Sequence, residues 1–262
     1  MGGGHDERSE DIDLLIVQFG ILGPIRVANP AGEFVLEGVR EQRILGTLLV
    51  FHGRLVPLLR LVDFVWDEEP PTTAVKQVQN CAGSLRRRLE RAGLPDGALV
   101  SQSPGYRLQV PEGAVDMFCF EKELAAARAA QVAGEHAKAV AHLRRGLSYW
   151  RGPALGGIAV GQLEGQAQRL EAMHKEARLL LAERQLDLGL VGEALEELLP
   201  LAHEDPLDER VQESYITALW RLGRTAEALA VYQQVYRTLR DELGIAPGDR
   251  LSRLHGSIVS FA

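Results

Sequence analysis

The 262-residue sequence predicts a mixed fold, an N-terminal α+β winged helix-turn-helix followed by an all-α, tetratricopeptide-like helical domain. Three observations predict it. Up to about residue 110, short runs rich in Val, Ile and Phe alternate with Gly and Pro, whereas from Asp116 almost to Phe261 Ala, Leu, Glu and Arg recur at helical spacing. Leu188-Gly189 and Glu193-Ala194-Leu195 match Leu222-Gly223 and Glu227-Ala228-Leu229 at an offset of 34 residues, the tetratricopeptide period. The third observation is the charge distribution. The chain carries 29 basic and 36 acidic residues, yet residues 70–110 hold six bases against Glu90 and Asp96. A local surplus of that kind is the electrostatic footprint of a nucleic-acid partner, which the net charge of −7 conceals.

Residues 1–13 hold five acids against Arg8 and have no apolar core of a signal peptide; a disordered acidic tail is expected. Leu14 to Leu36, broken at Gly23-Pro24 and again at 29–32, reads as short antiparallel strands. Gln42 to Phe51 and Leu58 to Trp66 space their leucines and valines as two short amphipathic helices. After the acidic Asp67-Glu68-Glu69 and Pro70-Pro71, a third helix is expected from Thr73 to Ala92, capped by Thr72 or Thr73 and closed by Gly93. Leu99 to Val110, interrupted by Ser103-Pro104-Gly105, reads as a two-stranded ribbon. These elements assign residues 14–111 to the winged helix and 116–262 to the helical domain, where Gly134-Glu135 opens a degenerate third repeat. Stacked helix pairs of this sort bind protein or serve a structural role, by holding the first domain or forming a dimer.

On the third helix, Val75, Val78, Ala82, Leu85 and Leu89 form one apolar stripe. Asn80, Ser84, Arg87 and Arg91 fall opposite, flanked by Lys76 on one side and by Gln77 and Arg88 on the other. Arginine can bond guanine bidentately and asparagine or glutamine adenine, while lysine neutralises phosphate, so this face suits a major groove. Arg86 lies nearer the stripe, open to a phosphate contact or an internal ion pair. In the ribbon turn, Ser103, Tyr106 and Arg107 could follow a minor groove or backbone, with inward packing of Tyr106 as the other reading. Asp67, Glu68 and Glu69 would repel phosphate; they read as a solvated linker or as a contact to a basic protein surface.

Nothing in the sequence seats catalysis. The seven histidines are scattered, and Walker, nucleophile-elbow and dinucleotide motifs are absent. Cys81 and Cys119 are too few for a disulfide framework, which fits a reducing cytoplasm. Cys81 reads as a small helix filler or, through thiolate-favouring arginines, as a redox switch. No stretch reaches the roughly 20 apolar residues of a membrane helix, so no membrane partner is expected.

Six motifs in order carry a resemblance: residues 19–24 (Phe19 to Pro24), Gln42-Arg43, Trp66-Asp67-Glu68-Glu69-Pro70-Pro71, Leu85-Arg86-Arg87, Pro104-Gly105-Tyr106, and Trp150-Arg151-Gly152-Pro153-Ala154-Leu155. Over nearly its whole length the chain resembles the Streptomyces antibiotic regulatory protein (SARP) transcriptional activators. The resemblance implies an OmpR-like winged helix and a bacterial transcriptional activator domain. It implies binding as a homodimer, head to tail, to direct repeats in double-stranded promoter DNA near the −35 element of biosynthetic genes. It further implies recruitment of RNA polymerase holoenzyme, sigma factor included, with no cofactor. The reading helix then falls on Lys76 to Arg91, the backbone-contacting first helix on Arg43, the wing on Ser103 to Arg107, and the polymerase contact on residues 67–69. Gly83 and Cys81 depart from the family's usual serine and bulky residue. With the acidic net charge, Gly83 keeps an alternative open, a protein adaptor whose winged helix no longer reads DNA.

Overall fold

A computed structural model describes residues 17–66 and 69–261. The acidic tail of residues 1–13, positions 14–16, Asp67 and Glu68 lie outside the described residues. The chain divides into two compact units that do not follow one another along it. One runs to Phe118 and takes back Arg151–Ala167; the other comprises Cys119–Trp150 and Gln168–Ala262.

The first unit opens on an antiparallel meander, β1 (Gln18–Gly20), β2 (Arg26–Asn29) and β3 (Gly32–Phe34), with Phe19 opposite Val27 and Val27 opposite Phe34. Helices α1 (Val39–Val50), α2 (Leu58–Val65) and α3 (Ala74–Arg91) pack against one another in all three pairings. They do so through fully buried Ile44, Leu45, Leu48, Leu61, Phe64, Val78 and Leu85. Beside them, β4 (Val56–Pro57), β5 (Leu99–Gln102) and β6 (Gly105–Leu108) form a sheet in the order β4-β6-β5, so the ribbon is a wing anchored at the start of α2. A Cβ on Gly105 would overlap the Val56 carbonyl, so only glycine lets these strands pair here.

Two local expectations need correction. Val75 is 38% exposed, and Ala74 takes its place in the stripe with Val78, Ala82, Leu85 and Leu89. Thr73 occupies the N-cap of α3, but its side chain does not cap; its hydroxyl accepts from Gln77 Nε2 at 2.9 Å instead. Gly93 does close the helix in a left-handed turn, with the amide of Leu94 donating to the Leu89 carbonyl.

Residues 151–161, expected to be helical, are largely irregular and belong to the first unit. The Arg151 amide donates to the Leu22 carbonyl and the Leu155 amide to the Ile21 carbonyl, both at 2.8 Å. Asp116 accepts from the amides of Ile21 and Leu22 at 2.9–3.1 Å, and the Arg151 guanidinium lies 3.3 Å from it while donating to the Pro24 carbonyl. Burial raises the Asp116 carboxyl above the usual aspartate range, against the opposing pull of those donors. Two motifs 131 residues apart in sequence, Phe19 to Pro24 and Trp150 to Leu155, therefore satisfy each other's backbone from Arg151 onward.

The second unit is helical: the main part of α4 (Asp116–Val132), α5 (His136–Leu147), most of α6 (Gln162–Asp187), α7 (Val191–Glu204), α8 (Glu209–Arg221), α9 (Thr225–Thr238) and α10 (Asp249–Phe261). The repeat seen in sequence has a backbone counterpart. Gly134, Gly189 and Gly223 adopt φ of 74°, 75° and 75°, and each following amide donates to the carbonyl five residues back. One left-handed turn thus joins three helix pairs. Leu198, Leu201, Val211 and Ala218 form one core, and Ile216, Leu219, Ala228 and Ile258 the next, with Leu195 and Tyr215 packed against both. Outside these cores, Arg210 bonds Glu183 bidentately at 2.7 and 2.8 Å and also reaches Glu176. Asp208 caps α8 and accepts from Lys175 at 2.6 Å.

His174 stacks flat on Trp150 with ring centroids 4.0 Å apart, and its burial, then Arg178 nearby, hold its pKa below the ordinary histidine value. A depressed base gives stability that is present above the ordinary range, about pH 6.5, and is lost as pH falls, because the unfolded chain takes the proton first. The melting temperature of the second unit is therefore expected to fall between about pH 7.5 and 5.5, and His174→Phe to flatten that fall. An equally steep fall in the variant would remove His174 as its source. Glu123 and Asp208, whose carboxyls sit below their usual range, add acid lability only at lower pH.

Candidate nucleic-acid interface

The cations of α3 separate into two groups. Arg86 is half-buried and its Nε donates to the Leu99 carbonyl at 3.1 Å, fastening α3 to β5; among the described residues it forms no ion pair. Arg88 lies 3.3 Å from Glu41 and donates to the Val35 carbonyl, fastening the opposite flank to α1. Gln77 is held by Thr73. Between these fastenings Lys76, Asn80, Arg87 and Arg91 are all exposed, with Ser84 half-buried at their edge. Among the described residues none of these four forms an ion pair; only the Nε of Arg91 is engaged, with the Arg87 carbonyl one turn back. Helical geometry sets Lys76, Asn80, Gly83 and Arg87 in one strip.

Tyr106 is 7% exposed, so inward packing is what the structure adopts. Alternation along β6 explains it: Tyr106 and Leu108 face the core and leave Arg107 half-buried between them. Ser103 stands exposed at the wing tip. Arg43 is also half-buried, its Nη1 donating to the Val65 carbonyl at 2.7 Å, which closes α1 onto the end of α2. Removing it in Arg43→Met is expected to cost about 1–3 kcal/mol in urea unfolding, because the Val65 carbonyl loses its donor. A fold of unchanged stability that binds all duplexes more weakly would instead mark Arg43 as a phosphate contact. Glu69 is exposed just past α2. The Cys81 thiol is pushed up by burial and by Glu41, outweighing Arg40, a direction that does not favour an arginine-activated thiolate.

The first unit thus combines a three-helix core and a wing with an exposed cationic strip on its third helix. The model of the bacterial transcriptional activator domain matches residues 115–259. The chain belongs to the SARP family. Regulatory protein AfsR of Streptomyces coelicolor is 39% identical over 249 residues, covering 93% of this chain and 24% of AfsR. Regulatory protein DnrI of Streptomyces peucetius is 32% identical, with 93% of this chain and 92% of DnrI covered. The solved structure of Mycobacterium tuberculosis EmbR, in complex with a low-affinity phosphopeptide, superposes with a TM-score of 0.86 at 31% identity, covering 93% of this chain and 65% of EmbR. The chain thus spans about a quarter of AfsR and just under two thirds of EmbR.

The matched family model is that of a bacterial transcriptional activator domain, and AfsR and DnrI are both regulatory proteins. The fold class read from sequence, a winged helix followed by tetratricopeptide-like helices, is the one the structure has. Among the described residues no helix is long and apolar enough to cross a membrane. Sequence reasoning missed two features of the interface. Gln79 is exposed on the wing side of α3, and residues 151–167 help build the unit that carries the strip. The first had a signal, since Gln79 lies well off the apolar stripe; the second had none beyond the motif itself.

Proposed function

We propose that this SARP protein is a sequence-specific DNA-binding activator of a biosynthetic gene cluster, which seats α3 in a major groove and follows the backbone with its wing. The observation that carries the reading is the division of labour on α3. Arg86 and Arg88 are spent on the fold, while Lys76, Asn80, Arg87 and Arg91 have no ion-pair partner among the described residues. Cations held ready on a rigid helix can neutralise phosphates and bond base edges at little ordering cost. Two protomers side by side would occupy direct repeats whose centres lie about one helical turn, roughly 10–11 bp, apart near a −35 element. The helical repeats and the acidic 67–69 segment would hold the polymerase and its sigma factor, raising promoter occupancy through added contacts without a catalytic step. The residues expected to contact DNA are Lys76, Asn80, Ser84, Arg87, Arg91 and Ser103, with Arg107 at the wing's edge.

The test is a binding titration on promoter fragments and on scrambled duplexes across a salt series. Selective retention of a fragment with direct repeats supports the reading, and equal, salt-sensitive retention of every duplex refutes it. Charge reversal in Glu68→Lys/Glu69→Lys is expected to leave DNA affinity intact while lowering transcription in a purified polymerase assay. Weakened DNA binding would refute the polymerase-contact role.

A further inference from the structure

Two residues on the wing side of α3 remain unused by the fold. Gly83 lies in the interior of the helix, where glycine costs about 1 kcal/mol against alanine. Neither usual reason for a glycine applies. Its φ is not in the left-handed region, and a Cβ built there would meet nothing within 4 Å except the Nη1 of Arg87 at 3.8 Å. Folding therefore neither needs Gly83 nor benefits from it. Its place, one turn after Gln79 and Asn80 and one turn before Arg87, makes it a notch in the middle of the free strip.

Gln79, on the border of that notch, is exposed, and among the described residues its carboxamide has no hydrogen-bond partner. It lines a cleft of about 620 Å³ between α3, the start of α2 and the wing, with Pro57, Leu59, Ser101 and Ser103. The contrast with Gln77 is direct, since that side chain is already bonded to Thr73.

We infer that Gln79 and Gly83 are the specificity-determining pair of the reading helix, Gln79 bonding an adenine of an A·T pair while the notch at Gly83 lets the base edge approach the helix backbone. A carboxamide offers adenine its donor and acceptor together, a match that no other base edge in the major groove repeats. The apolar Pro57 and Leu59 beside it suit the thymine methyl of the same pair. This assignment rests on the DNA-binding reading above.

The experiment is selection of bound duplexes from a random-sequence library by the full chain, followed by titration of each protein against the wild-type motif. Gly83→Ala is expected to raise the melting temperature by a few degrees yet weaken binding to that motif about 5- to 100-fold, with a changed base preference. Gln79→Ala is expected to melt as the wild type does and lose selection at one A·T position, whereas Gln77→Ala recovers the wild-type motif. The inference is overturned if Gly83→Ala or Gln79→Ala recovers the wild-type motif with unchanged affinity. A wild-type chain that selects no motif at all would overturn the DNA-binding reading itself, an outcome distinct from variant and wild type sharing one motif.

Discussion

Cutting the chain after Phe118 is expected to leave a fragment that does not unfold cooperatively, although it retains every strand and helix of the winged helix. The reason is the return segment. Leu155, Ile158 and Leu163 are 0–1% exposed in the first unit, and each is worth about 1.5–3 kcal/mol of burial. Together they match a large share of the about 5–15 kcal/mol by which a whole domain is stable. The cut also frees the carbonyls of Ile21, Leu22 and Gly23, which accept from Leu155, Arg151 and Gly156. In the full chain, Arg151→Ala is expected to cost about 2–4 kcal/mol in urea unfolding, since it leaves Asp116 buried without its cation. Because burial already raises the Asp116 carboxyl, that loss should shrink as pH falls and the carboxyl takes up a proton. A fragment of residues 1–118 that melts as sharply as the full chain would show that the return segment contributes nothing to the first unit.

Arg87→Ala and Asn80→Ala are expected to lower affinity for the native site by about 1–3 kcal/mol each, roughly 5- to 150-fold, at particular base pairs. Neither side chain has a hydrogen-bond or ion-pair partner among the described residues, so the melting temperature should not move. Arg86→Ala is the informative comparison. It removes a bond to the Leu99 carbonyl, so its effect should appear in stability first. Losses that are the same for every duplex in the Arg87 and Asn80 variants would assign the strip to phosphate contact and defeat the base-reading assignment. The salt dependence discriminates further, because a lost phosphate contact lowers the slope of log affinity against log salt by about one.

How much of this was readable varies with the range of the interaction involved. The stripe of α3 was legible because helical spacing alone sorts residues into faces, and it failed only at Val75, where the rim of the stripe meets solvent. The repeat turns were legible because Gly-containing motifs 34 residues apart need the same left-handed backbone. The fates of Arg86 and Arg88 were not. Both stand in an unbroken Arg86-Arg87-Arg88 run, and which arginine stays free depends on where Leu99, Val35 and Glu41 lie in space. Tyr106 was ambiguous for the related reason that the inner face of a short ribbon is set by what packs on it.

The sequence by itself determined the class of each half, the placing of most helices, the repeat and the helix that carries the exposed cationic strip. These follow from periodicity, turn chemistry and local charge, all of which act over a few neighbouring residues. Only the tertiary structure decided which cations remain available and which residues complete the first unit. Gly46 illustrates the difference: it lies inside the leucine-rich α1, and a Cβ there would press on Ile158, Ile25 and Leu155. Its smallness admits a segment more than a hundred residues away. Contacts of that kind are made by close packing between distant parts of the chain, and no local pattern records them.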